Sequence, residues 1–203
     1  MNQEFCKDVD AALKRIATHI RKTPVEFSHS MSNNSGSKVL LKLENFQVTG
    51  SFKARGAVNK MSLLAEENPE KIITASSGNH GSAVAYAASI LGLDTLIFLP
   101  ENVSSAKLNK IKQFGAKVDI ESKDAGDAEK AARAYALKHG YPYLSPYNDY
   151  DVIAGQGTIG AEVIQQTTGI DAVFIAVGGG GLIAGIGGYL KQMNPGVQII
   201  ACS

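Results

Sequence analysis

Residues 172–182 read AVFIAVGGGGL, an apolar run followed by glycines and a leucine. The apolar run predicts a buried β-strand over Ala172–Val177, and the apolar spacing after it predicts a helix over Leu182–Met193. Glycine allows positive φ and a close backbone approach, while a helix start offers unpaired N–H groups and the positive end of the helix dipole. Gly178–Gly181 therefore predicts an anion site, most simply for a phosphate. The alternative is a tight turn that packs the strand closely on the helix.

Strand-like and helix-like runs alternate along the whole chain. Apolar residues at helical spacing predict a first helix over residues 4–21, which Thr23-Pro24 ends. The further predicted strands are Lys38–Leu43, Ile72–Thr74, Asp94–Leu99, Ala116–Ile120 and Val197–Cys202, and the further predicted helices are Gly81–Leu91, Ser104–Phe114, Asp124–His139 and Asp151–Thr168. Such alternation predicts an α/β fold with parallel sheets covered by helices. Because the chain stops at Ser203, as its last predicted strand ends, we expect an unfinished sheet and a fragment of a longer protein.

The composition of the 203-residue chain is that of an ordinary globular protein, with 44% hydrophobic and 19% charged residues. Its formal net charge of +1 gives no electrostatic case for nucleic acid or an anionic membrane. No apolar run is long enough for a transmembrane helix, and the polar start Met1–Glu4 lacks a signal-peptide pattern. Two distant cysteines, Cys6 and Cys202, make no disulfide framework or metal cluster and predict a cytoplasmic protein.

The segment Ser51–Gly56 reads SFKARG and sets Lys53 beside an aromatic ring. Most lysines are solvated surface charges, so a lone lysine carries little weight. A lysine that is partly desolvated beside a ring loses its proton more easily, as a Schiff-base amine must. Lys53 is therefore a candidate reactive amine.

The segment Ser76–Gly81 reads SSGNHG and lies between a predicted strand and a predicted helix. Its hydroxyls and free N–H groups can bind a carboxylate, and Asn79 can donate to a phenolate oxygen. The alternative is a plain helix cap by Ser76 or Ser77. His80 is a candidate base, although a structural histidine is the simpler interpretation.

Two glycine patterns in the chain fit the spacing of a dinucleotide-binding fingerprint, but neither has the context that such a site requires. The spacing from Gly179 to Ala184 fits a dinucleotide fingerprint, but residues 199–203 lack the acid that such a site requires. Gly155-Gln156-Gly157-Thr158-Ile159-Gly160 matches the same fingerprint letter for letter, yet it lies inside a helical pattern, which indicates helix packing.

Taken together, the segments Ser51–Gly56, Ser76–Gly81, Ala154–Ile159 and Gly178–Leu182 resemble the fold type II (β-family) enzymes that depend on pyridoxal 5'-phosphate. Within that family they are similar to the serine/threonine dehydratase and serine racemase branch. The similarity runs from Phe5 to about Ala201. It implies a tryptophan synthase β-like α/β fold, with two open parallel-type sheets flanked by helices and the large domain incomplete.

The resemblance also implies a role for each matching residue. Lys53 is expected to hold the cofactor covalently and later to remove the Cα proton, and Phe52 to pack on the cofactor ring. The phosphate would be held by Gly178, Gly179, Gly180, Gly181 and the Leu182 amide. Asn79 would bond the phenolate oxygen, and the substrate carboxylate would be surrounded by Ser76, Ser77, Asn79 and His80. In racemases of this branch, the serine matching Ser77 is the second acid/base.

The implied activity is that of an ammonia-lyase, a dehydratase that converts L-threonine or L-serine to a 2-oxo acid and ammonia. Alternatives are serine racemase, a hydroxyaspartate dehydratase, cysteine synthase or a non-catalytic fragment. The resemblance implies a small domain at 67–148 between the two parts, 1–66 and 149–203, of a large one, and a homo-oligomer, dimeric or tetrameric. Two family features are missing from the sequence. These are a late Ser, Thr or Cys that faces the pyridine nitrogen and a metal-binding glutamate near Ser203, so no metal is predicted.

Overall fold

The computed structural model describes residues 3–203, so Met1 and Asn2 of the polar start lie outside the described residues. The helices are α1 Gln3–Ile16, α2 His29–Ser35, α3 Lys53–Glu66, α4 Asn79–Leu91, α5 Ser105–Lys112, α6 Ala125–His139, α7 Tyr150–Gln166 and α8 Gly181–Met193. The strands are β1 Val25–Phe27, β2 Leu40–Lys42, β3 Ile72–Ala75, β4 Thr95–Pro100, β5 Lys117–Ser122, β6 Ala172–Ala176 and β7 Gln198–Cys202. A short 3₁₀ helix spans Glu44–Phe46.

The strands β3, β4 and β5 form a parallel sheet in that order, and Tyr143 adds a parallel bridge to Ile73 on the other edge of β3. Side chains alternate between the faces of this sheet, as the pleat requires. Ile97 and Leu99 pack in a cluster with α4 and α5, whereas Phe98 packs against α6. Helices therefore cover both faces, as predicted for a parallel sheet.

The second parallel sheet pairs β6 with β7, joined by α8. Ile175 packs with α7 and α8 on one face, whereas Phe174 is 71% exposed on the other. The prediction of a buried strand over Ala172–Val177 is therefore wrong for one face. Among the described residues, helices pack on a single side of this sheet, and the second face has no covering element.

Strand β2 lies within the predicted strand Lys38–Leu43, whereas β1, α2 and α3 were not predicted from the sequence. The strands β1 and β2 form a short antiparallel pair, with Glu26 opposite Leu41. Helix α3, which begins at Lys53, packs between α4 and α7. No helix among residues 3–203 is both long and apolar enough to cross a membrane.

Candidate active site

Lys53 is the first residue of α3, and its side chain points into the protein. Its Nζ donates a hydrogen bond to the carbonyl oxygen of Pro146 at 2.6 Å and lies 5.2 Å from the centre of the Phe52 ring. Burial lowers the pKa of Lys53 below its usual value, because a desolvated ammonium is less stable than a hydrated one. The amine is therefore easier to deprotonate than a surface lysine, as a nucleophile or general base requires.

His80 is buried at the start of α4, close enough to Lys53 to feel its charge. Burial, and then the positive charge of Lys53, lowers the pKa of His80 to about 3. Its Nε2 lies 3.4 Å from the carbonyl oxygen of Leu144, which can only accept, so Nε2 carries the proton. His80 is thus a neutral donor to the Leu144 carbonyl, which also accepts a hydrogen bond from Thr74 Oγ1 at 2.8 Å, and His80 cannot serve as a cationic acid near neutral pH.

The loop Ser76–Gly78 joins the end of β3 to the start of α4. Gly78 is the N-cap residue and has no side chain with which to cap, while Ser76 Oγ accepts a hydrogen bond from the Gly78 N–H at 3.2 Å. The alternative of a serine N-cap is therefore wrong, and the first turn of α4 keeps N–H groups that an anion can use. The same loop lines a cavity of about 200 Å³. Ser77 and Asn79 lie in this loop and at the helix start, and their roles toward a substrate stay predictions.

The glycine run joins β6 to α8, which begins at Gly181. Gly180 is the N-cap, with φ of 86° in the left-handed region that favours glycine, and no side chain caps the helix. A Cβ on Gly179 would lie 2.3 Å from the Tyr147 ring, and one on Gly181 would lie 3.1 Å from the Tyr147 backbone. At Gly178 and Gly180, a Cβ would meet no described atom within 4 Å. The run is therefore an open, uncapped cradle with one aromatic wall.

One segment, Leu144–Tyr147, connects these parts, and it was not predicted from the sequence. Leu144 offers its carbonyl to His80, Pro146 offers its carbonyl to Lys53, and Tyr147 packs on the glycine run. The structure thus brings Lys53, His80 and the glycine run together around this segment. The sequence signals this segment only weakly, through a proline and polar residues before the α7 cap.

A phosphorylated carbonyl compound fits these groups. The α8 start supplies uncapped N–H groups and open space at Gly180, as a phosphate requires. Ser51 Oγ, two residues before Lys53, is buried without a hydrogen-bond partner in the described part of the chain. A buried hydroxyl without a partner is costly, so a bound polar group here would satisfy it.

The second glycine pattern, Gly155–Gly160, lies inside α7 as predicted, and its packing role is confirmed. A Cβ on Gly155 would lie 2.6 Å from the Cα of Gly56, and one on Gly157 would lie 2.6 Å from Val9. These glycines allow α7 to approach α3 and α1 closely. They are far too enclosed to cradle a phosphate.

An α/β protein that holds a desolvated amine near an anion cradle is suited to a cofactor with an aldehyde and a phosphate. The family model described as "Pyridoxal-phosphate dependent enzyme" matches residues 16–203, and the chain belongs to this family. The cofactor and the fold type II architecture that the resemblance implied are thereby confirmed.

Several relatives in this family are similar to the chain. It is 44% identical over 195 residues to the catabolic L-threonine dehydratase TdcB of Staphylococcus aureus, covering 95% of this chain and 56% of the relative. Its structure matches that of threonine deaminase isoform 2 from Solanum lycopersicum with a TM-score of 0.93 at 36% identity, covering 99% of this chain and 59% of that one. Serine racemase from Dictyostelium discoideum matches with a TM-score of 0.90 at 37% identity, over 97% and 64% of the two chains. The chain therefore spans between 56% and 64% of the length of these relatives.

Proposed function

We propose that this protein is a pyridoxal-phosphate-dependent ammonia-lyase that converts L-threonine or L-serine to a 2-oxo acid and ammonia. The observation that carries the proposal is the placement of Lys53. Its desolvated amine bonds the segment that also walls the glycine run. The similarity to a threonine dehydratase at 44% identity favours β-hydroxy amino acids as substrates.

Each part of the site has a distinct task in this proposal. The cofactor, when bound, supplies an electron sink for the charge that develops at Cα of the substrate. Lys53 holds the cofactor and then uses its amine, whose pKa burial lowers, to take the Cα proton. Phe52 packs on the cofactor ring, while Gly178, Gly179, Gly180, Gly181 and the Leu182 amide hold the phosphate.

The start of α4 is the proposed carboxylate site. The uncapped first turn and the side chains of Ser76, Ser77 and Asn79 offer donors to a carboxylate, and the positive end of the helix dipole adds to them. Asn79 also donates to the phenolate oxygen of the cofactor. Neutral His80 contributes a further donor, beside Thr74, to the Leu144 carbonyl in the segment that Lys53 contacts.

The arrangement of the chain is also part of the proposal. Residues 67–148 form a small domain inserted between the two parts, 1–66 and 149–203, of a larger cofactor-binding one. The protein acts in the cytoplasm on small amino acids and assembles as a homodimer or homotetramer.

Two measurements on the purified protein test the proposal. The protein is loaded with pyridoxal 5'-phosphate and reduced with borohydride, and its peptides are mapped by mass spectrometry. We expect one dominant adduct, on Lys53. The loaded protein is then given L-threonine or L-serine, and we expect equal amounts of ammonia and 2-oxo acid.

The control is Lys60→Arg, a charge-conserving change in the same helix, which should leave both results unchanged, whereas Lys53→Arg should abolish both. A dominant adduct on another lysine would exclude the Lys53 assignment. D-serine as the main product would show a racemase, and a tightly loaded protein without turnover would show a non-catalytic fragment.

A further inference from the structure

Arg55, which is wholly buried, lies at the centre of a cluster of four charged side chains. Its guanidinium makes a bidentate pair with Glu44, at 2.8 Å from Nε and 2.8 Å from Nη2. A second bidentate pair joins it to Glu162 at 2.6 and 2.9 Å. Lys42 Nζ adds a bond of 2.5 Å to Glu162, so two positive and two negative groups balance.

This cluster ties together elements that are remote in sequence. Arg55 belongs to α3, Glu162 to α7, Glu44 to the 3₁₀ helix, and Lys42 to β2. Burying charges is costly, and a buried ion pair is weak evidence for stability. The better-supported role of a buried ion pair is to favour one arrangement of the packed elements over others. A planar guanidinium that binds two carboxylates, here called the Arg55 fork, is a rigid group for that role.

Arg55 lies in the first turn of α3, two residues after Lys53. The N-cap residue Phe52 makes no side-chain cap hydrogen bond, and the first turn of α3 has no acidic residue. The helix start therefore lacks the usual local supports. It is held instead by the Arg55 fork and by Gly56, where a Cβ would lie 2.7 Å from the Val152 carbonyl oxygen of α7.

Any effect of the cluster on Lys53 would come through position and not through its electric field. Residues at i and i+2 point to different sides of a helix, so Arg55 does not face Lys53. The four charges of the cluster balance. Burial accounts for the lowered pKa of Lys53. The fork is placed where it would set the height and rotation of the first turn, and with them the position of the Lys53 amine.

We propose that Arg55 is a positioning residue for Lys53, with Glu44 and Glu162 as the carboxylates that hold its fork in register. This inference rests on the proposed cofactor role of Lys53. A displacement of about 1 Å at a reacting group can cost on the order of 100-fold in rate, so a loosened helix start should be measurable.

The test measures how fast pyridoxal 5'-phosphate is trapped on Lys53 in the presence of cyanoborohydride. Trapping on Lys130, whose side chain is 82% exposed, is measured in the same digest and serves as the internal reference. The variant Arg55→Lys keeps the charge but cannot form two bidentate pairs. We expect the ratio of Lys53 to Lys130 trapping to fall on the order of 10- to 100-fold, with the circular dichroism spectrum unchanged.

The matched control is Lys60→Gln, which removes an ion pair of 2.8 Å between the same helix and Asp151 of α7. It should lower the thermal midpoint but leave the trapping ratio as in the unaltered protein. Should Arg55→Lys not fold, Glu44→Gln serves in its place. It keeps the Arg55–Glu162 pair and alters a carboxylate whose side chain is 15% exposed, and it should lower the ratio by a smaller factor.

An unchanged ratio in the folded Arg55 or Glu44 variant would overturn the positioning role alone. An equal fall in Lys60→Gln would overturn it too, because any loosening of α3 against α7 would then suffice. If the unaltered protein traps no more cofactor on Lys53 than on Lys130, the proposed function fails, and the inference fails with it.

Discussion

The side-chain amine of Lys53 lies 2.6 Å from the carbonyl oxygen of Pro146, 93 residues away along the chain. This hydrogen bond joins the start of α3 to the segment that precedes α7. The next residue, Tyr147, packs on Gly179. The Lys53 amine and the glycine run are therefore linked through two consecutive residues, Pro146 and Tyr147.

The glycine run should lose cofactor affinity when an anionic side chain is placed in it. Gly180 has φ of 86° at the uncapped start of α8. In Gly180→Asp, the carboxylate would face the same N–H groups as the phosphate and repel it. We expect the dissociation constant for pyridoxal 5'-phosphate to rise at least about tenfold, equivalent to about 1.4 kcal/mol, in an absorbance titration.

The matched control for that change is Gly36→Asp. Gly36 also has positive φ, 67°, and an added Cβ there would meet no described atom within 4 Å. Both substitutions therefore carry a similar backbone strain of about 1–2 kcal/mol. Only the Gly180 variant should bind the cofactor weakly, and equal affinity in the two variants would exclude the run as the phosphate site.

Gly179 is expected to be intolerant of alanine because of Tyr147. A Cβ at Gly179 would lie 2.3 Å from ring atoms of Tyr147, whereas a Cβ at Gly178 would meet no described atom within 4 Å. Gly179→Ala should lower the free energy of unfolding by about 1–3 kcal/mol, as overpacking does. Gly178→Ala should change it by less than about 0.5 kcal/mol. Urea unfolding of both variants measures the difference.

A double variant shows whether the ring causes that cost. In Tyr147→Ala with Gly179→Ala, the clashing ring is gone, so the second substitution should add little to the first. Additive losses in the double variant would mean that the cost at Gly179 comes from its backbone and not from Tyr147.

The free energy of unfolding should decrease as the pH is lowered, because His80 is buried as a neutral ring. Its pKa is lowered from 6.5 to about 3, first by burial and then by Lys53. Between these values the unfolded chain binds a proton that the folded chain excludes. The contribution is therefore fully present above pH 6.5 and is lost as the pH falls toward 3. The slope is at most about 1.4 kcal/mol per pH unit.

The variant His80→Gln isolates this effect, because glutamine can still donate to the Leu144 carbonyl but does not titrate. Its free energy of unfolding, measured in urea across the same pH range, should fall less steeply than that of the unaltered protein. Ser37→Ala, at an exposed serine that does not titrate, is the control and should keep the original slope. Parallel curves for all three proteins would show that His80 does not titrate on unfolding.

Local sequence signals predicted the parts of the site that depend on local structure. The strand–glycine–helix pattern placed Gly178–Gly181 at the start of α8, and the alternation of elements predicted both parallel sheets. Helix α3 was missed because it is buried on most sides and includes the buried polar residues Arg55 and Asn59, which look like surface residues in a sequence. The segment around Pro146 was missed because its contacts are made across long sequence separations, which local periodicity cannot register.

The exposed face of β6 shows a related limit. A continuous apolar run is typical of a strand buried on both faces, and residues 172–177 have that pattern. The apolar pattern does not show which other element of the fold covers each face of the strand. In the described structure, α7 and α8 cover the Ile175 side, while Phe174 stays open.

Ser77 distinguishes a dehydratase from a racemase. Elimination from an L-amino acid needs one base, which we assign to Lys53, whereas racemisation needs a second group on the opposite face. General acid–base groups contribute roughly 10²–10⁴-fold to a rate. For the proposed dehydratase, Ser77→Ala should chiefly weaken carboxylate binding at the start of α4 and raise KM for L-serine, with kcat for pyruvate release largely kept.

Ser37→Ala, at an exposed serine outside the site, is the control. Pyruvate and D-serine are measured together for each protein. Substantial D-serine from the unaltered protein, lost by that factor in Ser77→Ala, would contradict the dehydratase assignment and identify Ser77 as the second acid/base.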